Sequence, residues 1–375
     1  MEFTIHQEVL AAVFGVAVVM GAVANKTSFC TMGAVSDWVN MGDKGRLRAW
    51  LLAVAVAMTG VLLLEGLGKI NLSGATFPPY RTANFAWLRY LLGGLMFGVG
   101  MTLGSGCGNK TLVRIGGGNL KSLVVLAIAS VMAYLMLWSD FYGVVFDRWM
   151  APLAVNLGGI GAKSQTLDAI IGGILGLDNT AALHLLIGTV LVAILLTYAF
   201  RSADFRGNPD NILAGVVIGL AVVTGWYLTG SALGSEWKEW AEMADTPPSR
   251  VEVQSFTFIS PMGDAVRYLL APTNFWLINF GIAALTGVIV GSLLYALVSR
   301  SFRIEWFSSA GDFVNHAVGG VLMGVGGVLS MGCTVGQAIT GVSTLAVGSM
   351  LTFAAIVAGA AGTMKFQYWR MMQEA

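Results

Sequence analysis

Three cysteines are the residues of this chain best equipped for chemistry: Cys30, Cys107 and Cys333. Each lies in a polar, glycine-flanked stretch. NKTSFCTMGAVSD surrounds the first, GCGNKTLVRIGGGN follows the second and GCTVGQAITGVST follows the third. No CxxC accompanies them, and His6, His184 and His316 are scattered along the chain. A tetrahedral zinc site wants four ligands at characteristic spacings, so the reading includes no metal and no cofactor. Three is an odd number, which excludes a full disulfide framework. Thiol–disulfide exchange wants an activated cysteine beside its resolver, and the spacing supplies none. A neutral thiol is a weak donor and a weak acceptor. Protonated thiols in series can therefore hold a soft, sulfur-bearing anion without trapping it, whereas thiolates would repel it.

An isolated cysteine in an apolar helix is ordinarily a small buried hydrophobe. That explanation is strained here, because two of the three close the same word. GGLMFGVGMTLGSGC ends at Cys107 and GGVLMGVGGVLSMGC ends at Cys333, with 8 identities in 15 positions. A weaker echo links FGVAVVMG (14–21) with AGVVIGLA (214–221). The chain is thus expected to hold two structural halves, about 1–170 and 180–375. Glycine beside the cysteines lets a ligand approach backbone and sulfur closely, and helix N-termini after the breaks favour an anion. The expected binding residues are Cys30, Cys107 and Cys333. The expected path lining is Gly106, Gly108, Asn109, Lys110, Gly332, Thr334, Gly336, Gln337 and Lys26. Lys26, Lys110 and Arg114 would concentrate anions nearby, although a cytoplasmic bias of basic residues also accounts for them, Arg114 most of all. No catalytic residue is expected, and the reading is of a transporter, not an enzyme.

The elements that position these residues follow from composition. Of 375 residues, 56% are hydrophobic and only 11% charged, against about 25% charged in a soluble domain, and the mean hydropathy is +0.75. A net charge of +1 gives no reason to expect nucleic acid. The 49 glycines lie within apolar runs, as suits close helix packing in a bilayer. A spanning helix needs about 20 apolar residues. Nine candidates lie near 7–24, 49–68, 90–105, 121–139, 182–200, 211–231, 276–298, 316–330 and 343–364. Residues 168–177 are apolar but too short to cross. The fold class is an all-α polytopic membrane protein. The first segment lacks a basic stretch before it, holding Glu2, His6 and Glu8 there, and reads as a mature helix.

With nine spans, Lys44, Arg46 and Arg48, then Lys110, Arg114 and Lys121, then Arg201 and Arg206, Arg300 and Arg303, and finally Lys365 and Arg370, all fall on one side. That side is the cytoplasm by the positive-inside rule. The N-terminus is then outside and the C-terminus cytoplasmic, and the aromatic stretch 232–275 is an outer loop. The two glycine words run in opposite directions, so the halves are inverted, as in many transporters. The polar stretches after the cysteines cannot face lipid and read as re-entrant turns from opposite faces. Glu65 lies near a span end and reads as interfacial. Trp and Tyr at 80–90 and 368–369 read as interface belts, and Asn315 and His316 as opening the last repeat helix.

At the cysteine words the sequence resembles the YeeE/YedE family of sulfur-transport membrane proteins. The matching words are FCTMGAVSD, GVGMTLGSGCGNK and GGVLMGVGGVLSMGCTVGQ, with SRSFRIEW before the last. The resemblance implies nine spans plus short re-entrant helices in two inverted repeats. It also implies a bacterial inner membrane and uptake of thiosulfate, with three cysteines passing the ion through an hourglass by S–H···S hydrogen bonds. Those roles would fall on Cys30, Cys107 and Cys333. A cytosolic sulfurtransferase of the TusA-like kind is the implied partner. The second block reads GSGCGNK where thiosulfate-type members have GGCxTG. The substrate class therefore spans thiosulfate, another sulfur oxyanion and a selenium-containing species. A membrane thiol-redox enzyme, a passive channel and a sulfur-sensing docking subunit are the rival readings.

Overall fold

Hydropathy and the ban on unpaired backbone in lipid leave helices as the only way to build this chain. The structure, a computed structural model, describes residues 4–72, 76–177 and 180–374. Among them, nine helices are long and apolar enough to cross a membrane. In chain order the elements are α1 (Ile5–Lys26), α2 (Thr31–Ser36), α3 (Gly45–Gly66), α4 (Trp87–Leu103), α5 (Gly108–Gly116) and α6 (Leu120–Trp138). Then follow α7 (Leu167–Leu175), α8 (Thr180–Phe200), α9 (Pro209–Gly230), α10 (Ala232–Met243) and α11 (Ile259–Leu270). The last are α12 (Phe280–Val298), α13 (Ala310–Leu329), the π-helical α14 (Val335–Gly341) and α15 (Val347–Glu374). The described strands are two residues long each.

The order span, short helix, span, span, short helix, span occurs twice, as α1–α6 and as α9 with α11–α15. Each set holds four crossings, an even number that returns the chain to the face it left. The helix between them, α8, adds one crossing and thereby inverts the second set. It packs on α3, where Gly188 meets Leu62, and leaves Leu186, Val190 and Ile194 exposed toward the lipid.

Glycines fix how the sets meet. At the centre α4 crosses α13: a Cβ on Gly100 would come within 2.8 Å of Gly319 O, and one on Gly326 within 2.8 Å of Gly93 O. In the cysteine-word alignment Gly93 matches Gly319 and Gly100 matches Gly326, so these contacts exchange under a two-fold axis and the helices run antiparallel. Either side of this seam, Gly94 and Gly98 pack on Thr352 and Ile356 of α15, while Gly320 and Gly324 pack on Val125 and Ala129 of α6. The flanks repeat the rule: Gly21 meets Val288 where α1 packs on α12, and Gly219 meets Val56 where α9 packs on α3. Small residues at these crossings supply the van der Waals contact that holds membrane helices together.

Three features differ from expectation, and a fourth, Glu65, keeps its expected place at the end of α3 but has ion partners there. The stretch 232–275 is not one loop: it holds α10 and α11, and Ile259–Asp264 of α11 are buried against α6 and α12. Its polar composition hid a helix held by Arg250–Asp264 (2.5 Å), with Asn279 Nδ2 also donating to Asp264 (3.0 Å). Asn315 and His316 do not open α13, which begins at Ala310 behind a Ser309 cap. Its polar first turn is matched by Lys121 Nζ on Asp312 at 2.7 Å. Tyr80 and Tyr90 are buried instead of belted at an interface; Tyr80 Oη donates to Gly336 O (2.6 Å), and Tyr90 Oη accepts from Gln165 (2.9 Å). Glu65 is bound bidentately by Arg81 (2.6 and 2.8 Å) and lies 3.4 Å from His184, whose other ring nitrogen meets Asp168 at 2.9 Å.

The seam gives a contrast in stability. Gly326→Val drives a branched side chain into the backbone of α4 and should destabilise the protein by about 3 kcal/mol or more, as severe overpacking does. Gly15→Ala lies on an open face of α1 with nothing within 4 Å and should be neutral or stabilising by about 0.5–1 kcal/mol. Thermal unfolding of the detergent-solubilised protein checks both; equal effects would contradict the packing scheme.

Candidate functional site

Each cysteine stands where one helix stops and another starts, and the backbone solves all three junctions in the same way. Two residues before the cysteine the chain turns left-handed, at Ser28 (φ 51°), Ser105 (φ 58°) and Met331 (φ 61°). The next residue's N–H reaches back five positions: Phe29 to Ala24 O, Gly106 to Met101 O and Gly332 to Gly327 O, at 3.1, 2.9 and 2.7 Å. This is the Schellman closure, which satisfies carbonyls at a helix end. The cysteine then opens the next helix. Cys30 and Cys107 are extended N-cap residues of α2 and α5, and Gln337 N donates to Cys333 O at 2.8 Å to start the third. Each break is thus about three residues wide. The turns expected after the cysteines are helices, α2, α5 and α14.

Every cysteine consequently stands at the start of a helix. Cys30 Sγ accepts from Gly33 N at 3.4 Å. Cys107 Sγ lies against the N–H groups of Lys110 and Thr31, and Thr31 Oγ1 donates to it at 3.9 Å. Cys333 Sγ lies against the N–H groups of Val335, Gly336 and Phe258. The Cys30 and Cys107 thiols face each other. A Cβ on Gly108 would stand 3.7 Å from Cys333 Cβ, which places the third cysteine beside the second. All three are free and buried. The three are therefore brought together from both sets of helices.

The wall around them holds polar atoms with nothing to bond. Both side-chain polar atoms of Asn109, Gln337 Oε1 and Thr334 Oγ1 are buried without a hydrogen-bond partner. Thr334 Oγ1 approaches the Cys107 sulfur but lacks hydrogen-bond geometry to any group. An unsatisfied buried polar atom costs about 1–3 kcal/mol, so a cluster of them marks a place built for a polar guest or water. Gln337 Nε2 is anchored on Ser330 O at 2.5 Å, leaving its oxygen side free.

The predicted lining residues separate into two groups. Gly106, Gly108, Asn109, Lys110, Gly332, Thr334, Gly336 and Gln337 all adjoin the cysteine junctions in the chain, and a Cβ on Gly108 would meet Cys333. Lys26 instead forms a half-exposed ion pair with Asp210 at 3.5 Å. Lys110 is partly buried and faces Cys30 and Cys107, with Arg114 and Arg46 near it. Arg114 Nη1 donates to Ser105 O (2.6 Å), bracing the left-handed turn, and Arg46 grips Asp37 at 2.5 and 2.6 Å. Among the described residues Lys110 has no carboxylate within ion-pair range, so positive charge is left over beside the sulfurs. The two serines and the methionine at positive φ, and Thr31, were not recognisable from the sequence. Only glycine or asparagine signals a left-handed residue.

Two cavities border the cysteine junctions. One of about 300 Å³ is lined by Arg89, Tyr142, Ser260, Val328 and Met331 and so reaches the junction of Cys333. The other, about 740 Å³, is lined by Met32, Ser36, Asn40, Thr102, Lys365 and Tyr368 and reaches the junction of Cys30. Three of the helices lining the first, α6, α11 and α13, are the counterparts of α15, α2 and α4, which line the second; Arg89 of α4 also lines the first. Among the described residues no His, Cys, Asp or Glu cluster suits a metal ion.

Known proteins place this arrangement. The pattern of the family described as Sulphur transport matches residues 26–362, which include all three cysteine junctions. The thiosulfate transporter TsuA of Escherichia coli K12 is 24% identical over 330 residues, covering 85% of this chain and 84% of that protein. The thiosulfate transporter TsuA of Spirochaeta thermophila is 23% identical over 344 residues, covering 88% and 91%. With its nine apolar helices and a match over most of its length, this chain belongs to the sulphur transport family of membrane proteins.

Proposed function

We propose that this protein moves thiosulfate, or a sulfur oxyanion of the same size and softness, across the membrane by passing it along Cys333, Cys107 and Cys30. What supports this reading is that three free, buried thiols, drawn from both sets of helices, lie near one another, each at the start of a helix. Backbone N–H groups and helix dipoles hold an anion without binding it as tightly as a counter-ion would. Neutral thiols add weak, reversible hydrogen bonds suited to a terminal sulfur. Lys110 and Arg114 raise the anion's local concentration at one side of the sulfurs, and Arg89 does so in the cavity at the other. The similarity to two proteins named as thiosulfate transporters supports thiosulfate as the first ion to test.

The membrane is the bacterial inner membrane in this reading, with the N-terminus outside, and a TusA-like sulfurtransferase is the expected cytosolic acceptor. The two inverted halves, about 1–170 and 180–375, form the carrier. A redox exchange enzyme is the weaker alternative, since the three free thiols lie in a buried wall and a helical break, without the exposed setting of a reactive cysteine.

Cys107→Ala and Cys333→Ala should each lower thiosulfate uptake by about tenfold or more, a loss of about 1.4 kcal/mol at the barrier, with unchanged expression. Cys→Ser at either site should be nearly as harmful, because a hydroxyl holds water more strongly than a thiol. Uptake of labelled thiosulfate into proteoliposomes measures both, and wild-type rates in both alanine variants would refute the relay. Lys110→Met should raise KM several-fold and flatten the fall of uptake with ionic strength; an unchanged KM would remove Lys110 from the path. Thiol trapping during turnover separates the redox alternative, which requires a disulfide that forms and breaks.

A further inference from the structure

The sulfurs occupy only three corners of a site that the two-fold axis makes four-cornered. Cys107 corresponds to Cys333, which leaves Cys30 without a cysteine counterpart. The described fold identifies the missing corner. SFCTMGAVSD (28–37) in the first set aligns with SFTFISPMGD (255–264) in the second, matching Ser28 with Ser255, Phe29 with Phe256 and Asp37 with Asp264. Thr257 stands where Cys30 stands.

Four contacts have counterparts under this alignment, element for element though not residue for residue. Phe29 stacks on Trp50 of α3, and Phe256 packs on Phe280 of α12, its symmetry mate. Asp37 is held by Arg46 in the first turn of α3, and Asp264 by Asn279, the N-cap of α12. The Thr31 N–H lies against Cys107 Sγ, and the Phe258 N–H lies against Cys333 Sγ. The side chain one residue earlier sits, in each set, beside the third residue after the partner cysteine. Cys30 faces Lys110, and Thr257 Oγ1 lies so close to Gly336 that a Cβ there would come within 2.4 Å of it. The helix that follows starts one residue later after Thr257 than after Cys30.

Thr257 is buried, and its hydroxyl has no hydrogen-bond partner. A hydroxyl placed for structure bonds a nearby carbonyl, as Thr229 and Thr340 do a few ångströms away on the same segment's backbone. Thr257 is left free at the one position where symmetry calls for a path residue. We infer that Thr257 is a fourth substrate-contacting residue, paired with Cys333 as Cys30 is paired with Cys107, and that its hydroxyl bonds the oxygens of a sulfur oxyanion. The inference rests on the transport reading above. It makes the site asymmetric: two thiols and a lysine on the side of α2 and α5, and one thiol, one hydroxyl and a glycine on the side of α11 and α14. A hydroxyl is the stronger donor and suits the oxygen-bearing end of such an ion, whereas the thiols suit its terminal sulfur.

The test compares four variants in proteoliposomes loaded by labelled thiosulfate. Thr257→Val keeps the shape and removes only the hydroxyl. It should leave the melting temperature unchanged or raised, and lower kcat/KM for uptake about tenfold. Thr257→Ser should restore most of the uptake. In Thr257→Cys the introduced thiol should be modified by a small charged methanethiosulfonate reagent, read by peptide mass spectrometry, and thiosulfate should protect it. Wild-type uptake by Thr257→Val would overturn the proposal. So would an unmodified thiol in Thr257→Cys, which decides the matter even if the valine variant fails to fold. Cys333→Ala serves as the control: normal uptake there defeats the relay itself, whereas its loss beside a normal Thr257→Val defeats the fourth position alone.

Discussion

An interrupted helix inside a membrane must satisfy the backbone groups it releases, and everything at this site depends on how three interruptions do so. Each uses a left-handed residue, a long backward N–H···O bond and a cysteine that begins a new helix. The solution costs little, because carbonyls of the first helix and N–H groups of the second are nearly all claimed. What it leaves over is useful. The N–H groups that begin each new helix lie near a sulfur, a setting that favours an anion. The cysteines are therefore components of the backbone closure as well as the proposed ligands.

The breaks would not meet without the inverted packing. Four crossings per set and one extra helix bring the second set in upside down, so Cys333 arrives from the face opposite to Cys107. The α4–α13 seam then lets two backbones touch, with Gly93, Gly100, Gly319 and Gly326 each lying against the other helix. Any side chain there would hold the junctions apart. Close packing and the site are in this sense one property: the glycines that the composition displays as an excess set the distance between sulfurs.

Much of this was legible in the sequence. The repeated word exposed the duplication, and hydropathy placed most spans within a few residues of their observed limits, since lipid enforces apolar length directly. Polar segments were harder. The helix Ile259–Leu270 was hidden because its Asp264 is paired with Arg250 and accepts from Asn279, residues outside the helix. The start of α13 was placed six residues late because its first turn holds the charged Asp312, whose partner Lys121 lies on another element. Lys26 looked like part of the site by its nearness to Cys30, yet its side chain turns to Asp210. Left-handed Ser28, Ser105 and Met331 have no sequence signature, because tertiary packing, not residue preference, imposes their conformation.

The central claim is that a sulfur-bearing anion rests among these thiols. The most direct measurement is a structure of the protein with thiosulfate bound, with the ion's sulfur atoms located by anomalous scattering. The account predicts density between Cys107 and Cys333, in contact with the sulfurs and the N–H groups that begin α5 and α14. An ion bound elsewhere, for instance beside Arg81 and Lys163 in the cavity of about 600 Å³ that those residues line, with the cysteine cluster closed and dry at saturating thiosulfate, would contradict it.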